Sequence, residues 1–488
     1  MAEYTDKGDS LKRGSTSRRV FLAGSATTVG AGLFTGPVEA AAAAGSLDLS
    51  DNWPDGPGRR NRPQRPDDQL RVMLAEVDPQ RIEDTVRKLV SFGTRHTLSE
   101  QRNPTRGIGA ARDWIFNTLS DYAANSEGRM TVRKQAYLQQ PASRIDRPTR
   151  ITNVLARIRG SVRPNRVYVI SGHYDSRVTD VMNRTSDAPG ADDDASGVAV
   201  SMEVARVLSM HQPEATIVLA AVAGEEQGLY GSTHMAQIFE ASSADVQGMF
   251  TNDIVGSSTA DDGTRDRHSL RLFAEGVPTN ESASEADLRR AIGGENDSPA
   301  RQLARLVTEV ADNRATGMRI RVIYRRDRYL RGGDHIPFLE RGFPAGRFTE
   351  PNENFAHQHQ DVRMENGQQF GDLPQFCDFD YIARVARVNA ATLYSLANAP
   401  GTPKNVHVDT AALTNDTTLT WEANSEPDLD HYEVVWRPTL EDDWTHVVDA
   451  GKATTKTINL SKDNVFFGVR AVDSDGHRSP AAFPTPTS

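Results

Sequence analysis

A single cysteine, Cys377, stands among 488 residues. That scarcity excludes an internal disulfide framework and any metal site built from several thiolates, so a metal in this chain is held by His, Asp and Glu. Excess positive charge is lacking too: the formal net charge is −10, whereas nucleic acid or an anionic membrane surface each calls for a basic face. Long apolar runs are missing as well. The mild run at Ala23–Phe34 is too short, and too rich in Gly and Thr, for a membrane span. What remains, with 25% charged and 37% apolar residues, has the composition of a globular protein rather than a disordered one. The length points to two folded domains plus tails.

Ser17-Arg18-Arg19-Val20-Phe21-Leu22, the mild apolar run and the small residues around Val38–Ala41 together resemble a twin-arginine export signal. Residues 1–44 are therefore expected to be a signal peptide cleaved near Ala40–Ala44, and the protein to be secreted. Residues 45–68, rich in Pro, Asp and Arg, read as a linker. From residue 69 to 399 apolar runs alternate with amphipathic stretches. Helices are expected at Pro79–Val90, Gly109–Leu119, after Ser196, after Ser298 and at Phe379–Asn398. Strands are expected at Met130–Leu138, Thr152–Ile158, Arg166–His173, Thr216–Gly224, Met249–Val255, Leu270–Phe273, Met318–Tyr324 and Pro344–Phe348. The Ser-rich acidic stretch Asn280–Asp297 reads as a loop. The alternation predicts an α/β fold with a mostly parallel central sheet flanked by helices. Residues 400–488 change texture to short strands and turns, a pattern that fits a small all-β sandwich. Through TLTW, HYEVVWR and FFGVRAVDSDG this part resembles a fibronectin type III module. An accessory module that contacts a cell surface or a polymer, or acts as a spacer, is expected there.

The chemistry gathers in Ser171–Gly228. It reads SGHYDS, GADDDASG and AVAGEEQG, so acids and one histidine cluster at successive turns beside apolar runs. In open α/β sheets that strand edge is where sites form. His173 follows a strand, and Asp175 lies two residues on, placed to orient the imidazole. The triple Asp offers a carboxylate able to face two metals. Glu225 and Glu226 are adjacent and cannot share one direction, so one can bind metal while the other faces the reacting water. Asp253 ends the next strand, and His357 lies in NENFAHQHQD. With Asp193, Glu226 and Asp253 as ligands, two zinc ions and one shared hydroxide sum to a neutral set with an open position, as a catalytic site requires.

GHYDS, APGADDDASG, AGEEQGLYGS, the Asp of TNDIV, GGDHIPF and the His-x-x-x-Asp of HQHQD occur together and in order over roughly residues 80–398. Together they resemble the co-catalytic dizinc aminopeptidases, the family of bacterial leucyl aminopeptidase, aminopeptidase Y and glutamate carboxypeptidase. The resemblance implies two zinc ions per chain, one on His173 and Asp253, the other on Glu226 and His357, with Asp193 bridging and Glu225 as general base. It implies removal of N-terminal residues from peptides or proteins with a free N-terminus. Asp192 and Asp194 compete with Asp193 for the bridge. His359 competes with His357, whose spacing to Asp361 favours it. Asp334 and His335 are expected near the site as supporting groups, and His96 as structural. Arg328 and Arg331 are expected to be structural, or else to bind a substrate carboxylate, which would suit a carboxypeptidase. A glutaminyl cyclase would need only one zinc, and a receptor-like binding protein would have lost ligands; neither fits the full ligand set.

Overall fold

The computed structural model describes residues 54–487. The expected export signal and the first part of the expected linker lie outside them. In chain order, a two-residue strand β1 (Arg59–Arg60) precedes helices α1 (Asp68–Ala75), α2 (Pro79–Val90) and α3 (Ile108–Ala124). Strands β2 (Met130–Gln139), β3 (Thr149–Ile158) and β4 (Arg163–His173) follow. Then come α4 (Gly197–Leu208), β5 (Ala215–Val222), α5 (Tyr230–Ala241), β6 (Asp245–Asn252), β7 (Ser269–Phe273), α6 (Ala283–Ile292), α7 (Pro299–Ala311), β8 (Arg319–Ile323), α8 (Ile336–Leu339), β9 (Ala345–Thr349) and α9 (Phe379–Asn398).

Strands β2 to β9 form one eight-stranded sheet in the order β2-β3-β5-β4-β6-β9-β7-β8. Its centre is parallel, with β4 between β5 and β6, and β6 beside β9. The β7/β8 join at one edge is parallel too, and the β2/β3, β3/β5 and β7/β9 joins are antiparallel, so the sheet is mostly parallel, as expected, with antiparallel joins outside its centre. Alternate residues of β4 split between two cores, as the two-residue period of a strand requires. Tyr168 and Ile170 pack with side chains of α2, α4, α7 and α9, whereas Val167 and Val169 pack with Met235 and Ala236 of α5 and Phe338 of α8.

Several local readings shift. Ser196 does not cap α4 through its side chain: its hydroxyl donates to the Asp192 carbonyl at 2.6 Å, and Asp194 Oδ1 instead accepts the Gly197 amide at 3.0 Å. Within the stretch read as a loop, α6 forms on a Ser282/Glu285 capping box, with no side chain of the helix fully buried. Ser298 does cap α7, accepting from the Arg301 amide at 3.1 Å, with Pro299 in its first turn.

After residue 400, two four-stranded sheets face each other. One orders Arg59–Arg60, His446–Gly451, Leu429–Pro438 and Val465–Asp473; the other Thr455–Ile458, Thr417–Thr420, His407–Val408 and Thr485–Pro486. Leu419 and Ile458 from one pack with Tyr432, Trp436 and Phe467 from the other. The segment read as a linker is thus partly built in. Arg59 and Arg60 pair with Val447 and His446, the Trp436 indole donates to the Pro57 carbonyl at 2.9 Å, and Arg59 pairs with buried Glu433. Backbone groups of this segment find partners on an open sheet edge, which composition alone does not reveal. The sandwich rests on α7. Buried Asp297 is held by Arg305 at 2.9 Å and Arg437 at 2.7 Å, and Arg470 joins Glu309 at 2.9 Å to Glu433 at 2.7 Å.

Candidate metal centre

The C-terminal ends of the parallel strands carry the site. His173 is the last residue of β4, Asp253 follows β6 directly, and Glu225 and Glu226 come just after β5. The 191–196 turn that carries Asp193 is drawn down onto this edge by the close fit of α4 on the sheet. A Cβ on Gly197 would lie 2.1 Å from the Asn252 carbonyl oxygen, and one on Gly172 2.3 Å from the Gly197 carbonyl carbon. Only glycine permits that approach.

Asp193 is the hinge of the arrangement. Its Oδ1 lies 3.0 Å from His173 Nε2, and its Oδ2 lies 2.7 Å from His359 Nε2. Asp253 Oδ1 is 3.8 Å from His173 Nε2, and Glu226 Oε1 is 3.1 Å from His359 Nε2. Two triplets result, His173–Asp193–Asp253 and Asp193–Glu226–His359, each with ligand atoms within 4.8 Å of one another and sharing one carboxylate.

The histidine of the second triplet is His359, which corrects the expectation of His357. The His357 ring stacks on Phe376 with centroids 3.6 Å apart, and burial without a compensating acid lowers its pKa. His359 sits at φ 57°, and this left-handed turn accompanies the placing of its imidazole among the acids. Burial acts to lower its pKa, but Glu226 and Asp193 outweigh it and carry it to about 10.

The neighbours of Asp193 have other work. Asp194 Oδ2 accepts the His173 amide at 2.8 Å, and Asp192 Oδ1 accepts the Gly256 amide. Asp372, which the sequence reading did not single out, accepts the amides of Asp192 and Asp193 at 2.8 Å each and so fixes the turn. Burial raises its pKa to about 7. Asp175 differs in detail from the expectation. Its main-chain carbonyl, at 3.1 Å, faces His173 Nδ1, with the carboxylate at 3.7 Å. That carboxylate accepts the Glu225 and Glu226 amides at 3.3 and 3.2 Å and the Thr97 hydroxyl at 2.8 Å, so it braces the turn that bears both glutamates.

Glu225 lies outside both triplets and is partly open to solvent. Burial of its carboxyl, reinforced by Asp253, Glu226 and Asp334, raises its pKa well above the usual range against the pull of His173. For Glu226 burial acts upward, but His359 and Arg177 prevail and lower it. Two arginines touch the outer acids. Arg347 Nη2 lies 2.9 Å from Asp253 Oδ1, and Arg177 Nε 2.9 Å from Glu226 Oε2. Arg328 and Arg331 both pair with Glu353, at 3.2 and 2.8 Å. Asp334 and His335 are fully buried, and His335 faces the Arg326 carbonyl at 2.8 Å. His96 is tied to the Val181 carbonyl at 2.9 Å, a structural contact.

The residues fit a metal. Glu226 Oε1 is buried without a well-formed hydrogen bond. The group nearest it, His359 Nε2 at 3.1 Å, would itself be a ligand, so two electron-pair donors face one another, an arrangement that a cation between them completes. Imidazole and carboxylate donors without thiolates suit zinc.

A model of peptidase family M28 matches residues 153–369. A probable zinc metalloprotease of Pyrenophora teres f. teres (strain 0-1) is 59% identical over 426 residues, covering 87% of this chain and 88% of that one. Among solved structures, the LapA aminopeptidase of Legionella pneumophila aligns at 18% identity over 68% of this chain and 74% of its own, with a TM-score of 0.48. A glutaminyl cyclase of Porphyromonas gingivalis aligns at 18% identity over 65% of this chain and 97% of its own, with a TM-score of 0.44. The chain belongs to peptidase family M28 and is a zinc metalloprotease.

Proposed function

We propose that the protein is a secreted dizinc aminopeptidase that removes N-terminal residues from peptides. The observation that carries this reading is the sharing of Asp193. One oxygen turns to His173 beside Asp253 and the other to His359 beside Glu226, while Glu225 is left free of both triplets.

Bound zinc supplies Lewis acidity, polarising the scissile carbonyl and lowering the pKa of water towards neutrality. His173, Asp193 and Asp253 would hold one ion, and Asp193, Glu226 and His359 the other. Glu225 takes the proton of the attacking water on its carboxylate and delivers it to the departing amine nitrogen; its raised pKa matches a base that must also act as an acid. Asp175 keeps the Glu225 backbone in place through its amide. Asp372 does the same for Asp193.

A preference for free amines is supported by the ordered motifs shared with dizinc aminopeptidases. It is supported also by the pairing of Arg328 and Arg331 with Glu353, which uses up part of the positive charge a carboxypeptidase would aim at its substrate. The twin-arginine signal reading of Ser17–Leu22 supports export. The docking of the sandwich on α7 favours a scaffold role, with contact to a cell surface or polymer as a further role.

The test is hydrolysis of a panel of aminoacyl-p-nitroanilides by the zinc-loaded protein, beside N-acetylated counterparts and C-terminally amidated peptides. The expected result is turnover only where the amine is free, abolished by chelation. Hydrolysis of blocked substrates at equal rate, or of no free-amine substrate at all, would contradict the reading.

A further inference from the structure

The two histidines of the site are backed by opposite chemistry. A histidine that binds a metal through Nε2 carries its hydrogen on Nδ1 and needs an acceptor there. His173 has one in the Asp175 carbonyl oxygen at 3.1 Å, with the carboxylate at 3.7 Å behind it. His359 faces the reverse: its Nδ1 lies 2.6 Å from Arg177 Nη2, and a guanidinium only donates. The same guanidinium holds the outer oxygen of Glu226 through Nε at 2.9 Å. Arg177 therefore touches both terminal ligands of one triplet and places a positive charge against it.

The charge on Arg177 is poorly shared. Among the described residues its ion-pair partner is Glu226. The other half has an arginine as well, Arg347 on Asp253 Oδ1 at 2.9 Å, but that guanidinium divides its charge with Asp327 at 3.5 Å and does not touch the His173 ring, whose Nδ1 keeps its acceptor. A dication entering the Glu226–His359 half meets an adjacent cation in a largely buried setting, where like charges repel strongly. It also finds a histidine whose outer nitrogen must first part from a donor.

Resting on the two-zinc reading above, we infer that Arg177 makes the Glu226–His359 half the weaker metal site and gates its filling. The His173–Asp253 half fills first, and the chain passes through a one-zinc state as zinc becomes scarce. Arg177 is a positioning residue here: it acts through Glu226 and His359 and has no contact with the reacting atoms.

The test is zinc binding by the full-length mature protein in zinc-buffered solutions, read as bound metal per chain, for wild type and for Arg177→Met and Arg177→Gln. The expected wild-type curve has two steps whose dissociation constants differ by at least ~30-fold, on the scale by which groups behind a ligand tune metal affinity. Both variants should tighten the weaker step and leave the stronger one in place, narrowing the ratio to roughly fivefold or less by the same scale. His359→Ala should retain only the tight step, and His173→Ala should lose it. Equal dissociation constants in the wild type would overturn the inference while leaving two zinc ions per chain intact. So would an unchanged ratio in two folded variants. A plateau at one zinc per chain in wild type and variants alike would instead overturn the two-zinc reading, and the inference with it.

Discussion

His359 Nε2 lies 2.7 Å from Asp193 Oδ2, so the second imidazole of the HQHQ stretch, not the first, closes the shared-carboxylate site. The consequence separates the two histidines. On the proposed two-zinc reading, His359→Ala should lower the zinc content at saturation from two to one per chain and reduce kcat/KM by at least ~100-fold, since the missing ligand would cost one of the two polarising ions. His357→Ala, which loses a ring stacked on Phe376, should keep both ions and stay within about tenfold of the wild-type rate, the effect of a modest packing change near the site. Metal analysis of the two variants side by side, with kinetics, checks this. Zinc loss in His357→Ala alone would reverse the assignment.

The junction between sandwich and peptidase parts makes a second prediction. Asp297 is buried between Arg305 and Arg437; without Arg437 it keeps Arg305 on Oδ1, but Oδ2 loses its donor. Arg437→Met should therefore destabilise the protein by about 1–3 kcal/mol, the cost of a buried acceptor left without a partner. It should do so without changing zinc stoichiometry, because Arg437 lies on the sandwich strand Leu429–Pro438 that faces α7 and not at the strand ends that carry the ligands. Thermal unfolding of zinc-loaded protein reads the loss. A melting temperature equal to the wild type would show that the sandwich is only loosely attached.

His477 sets a pH dependence at the same junction. Burial acts to lower its pKa, but hydrogen bonds to Asp473 at 2.8 Å and Asp67 at 3.3 Å overcome that and raise it above 6.5. A histidine with a raised folded-state pKa contributes stability that is fully present below the unfolded pKa and lost as pH rises through the folded one. The stability difference between wild type and His477→Gln should thus be largest below pH 6.5 and shrink at higher pH. Denaturant unfolding at a series of pH values tests this; a difference that grows with pH would contradict it.

How much of this was legible in the sequence follows from where each residue sits. His173, Asp193, Glu226 and Asp253 flank apolar runs that end at one sheet edge, so strand periodicity placed their clusters together, while the choice of Asp193 among three acids and of Glu226 over Glu225 came from the motif resemblance. His359 was harder, because residues 351–361 have no periodicity and offer two imidazoles. The backbone turn at φ 57° decides between them, and no pattern encodes it. Asp372 acts from a stretch far along the chain by accepting two amides, a contact that exists only after folding. Arg177 follows a motif directly, yet its direction depends on the distant loop that bears His359. The α6 capping box, Ser282 to Glu285, was readable by spacing. The strap at Arg59–Arg60 was not, since Pro- and Arg-rich composition looks the same whether or not a sheet edge receives it.

The most direct measurement on the central claim is Glu225→Gln with metal and turnover determined on the same sample. Glu225 belongs to neither ligand triplet, and the change removes its ability to carry a proton while keeping its shape. The account predicts full zinc content, unchanged substrate KM within a few-fold and a kcat lower by ~10²–10⁴, the range for a lost general base. A variant that keeps the wild-type rate, or that loses zinc, would contradict it.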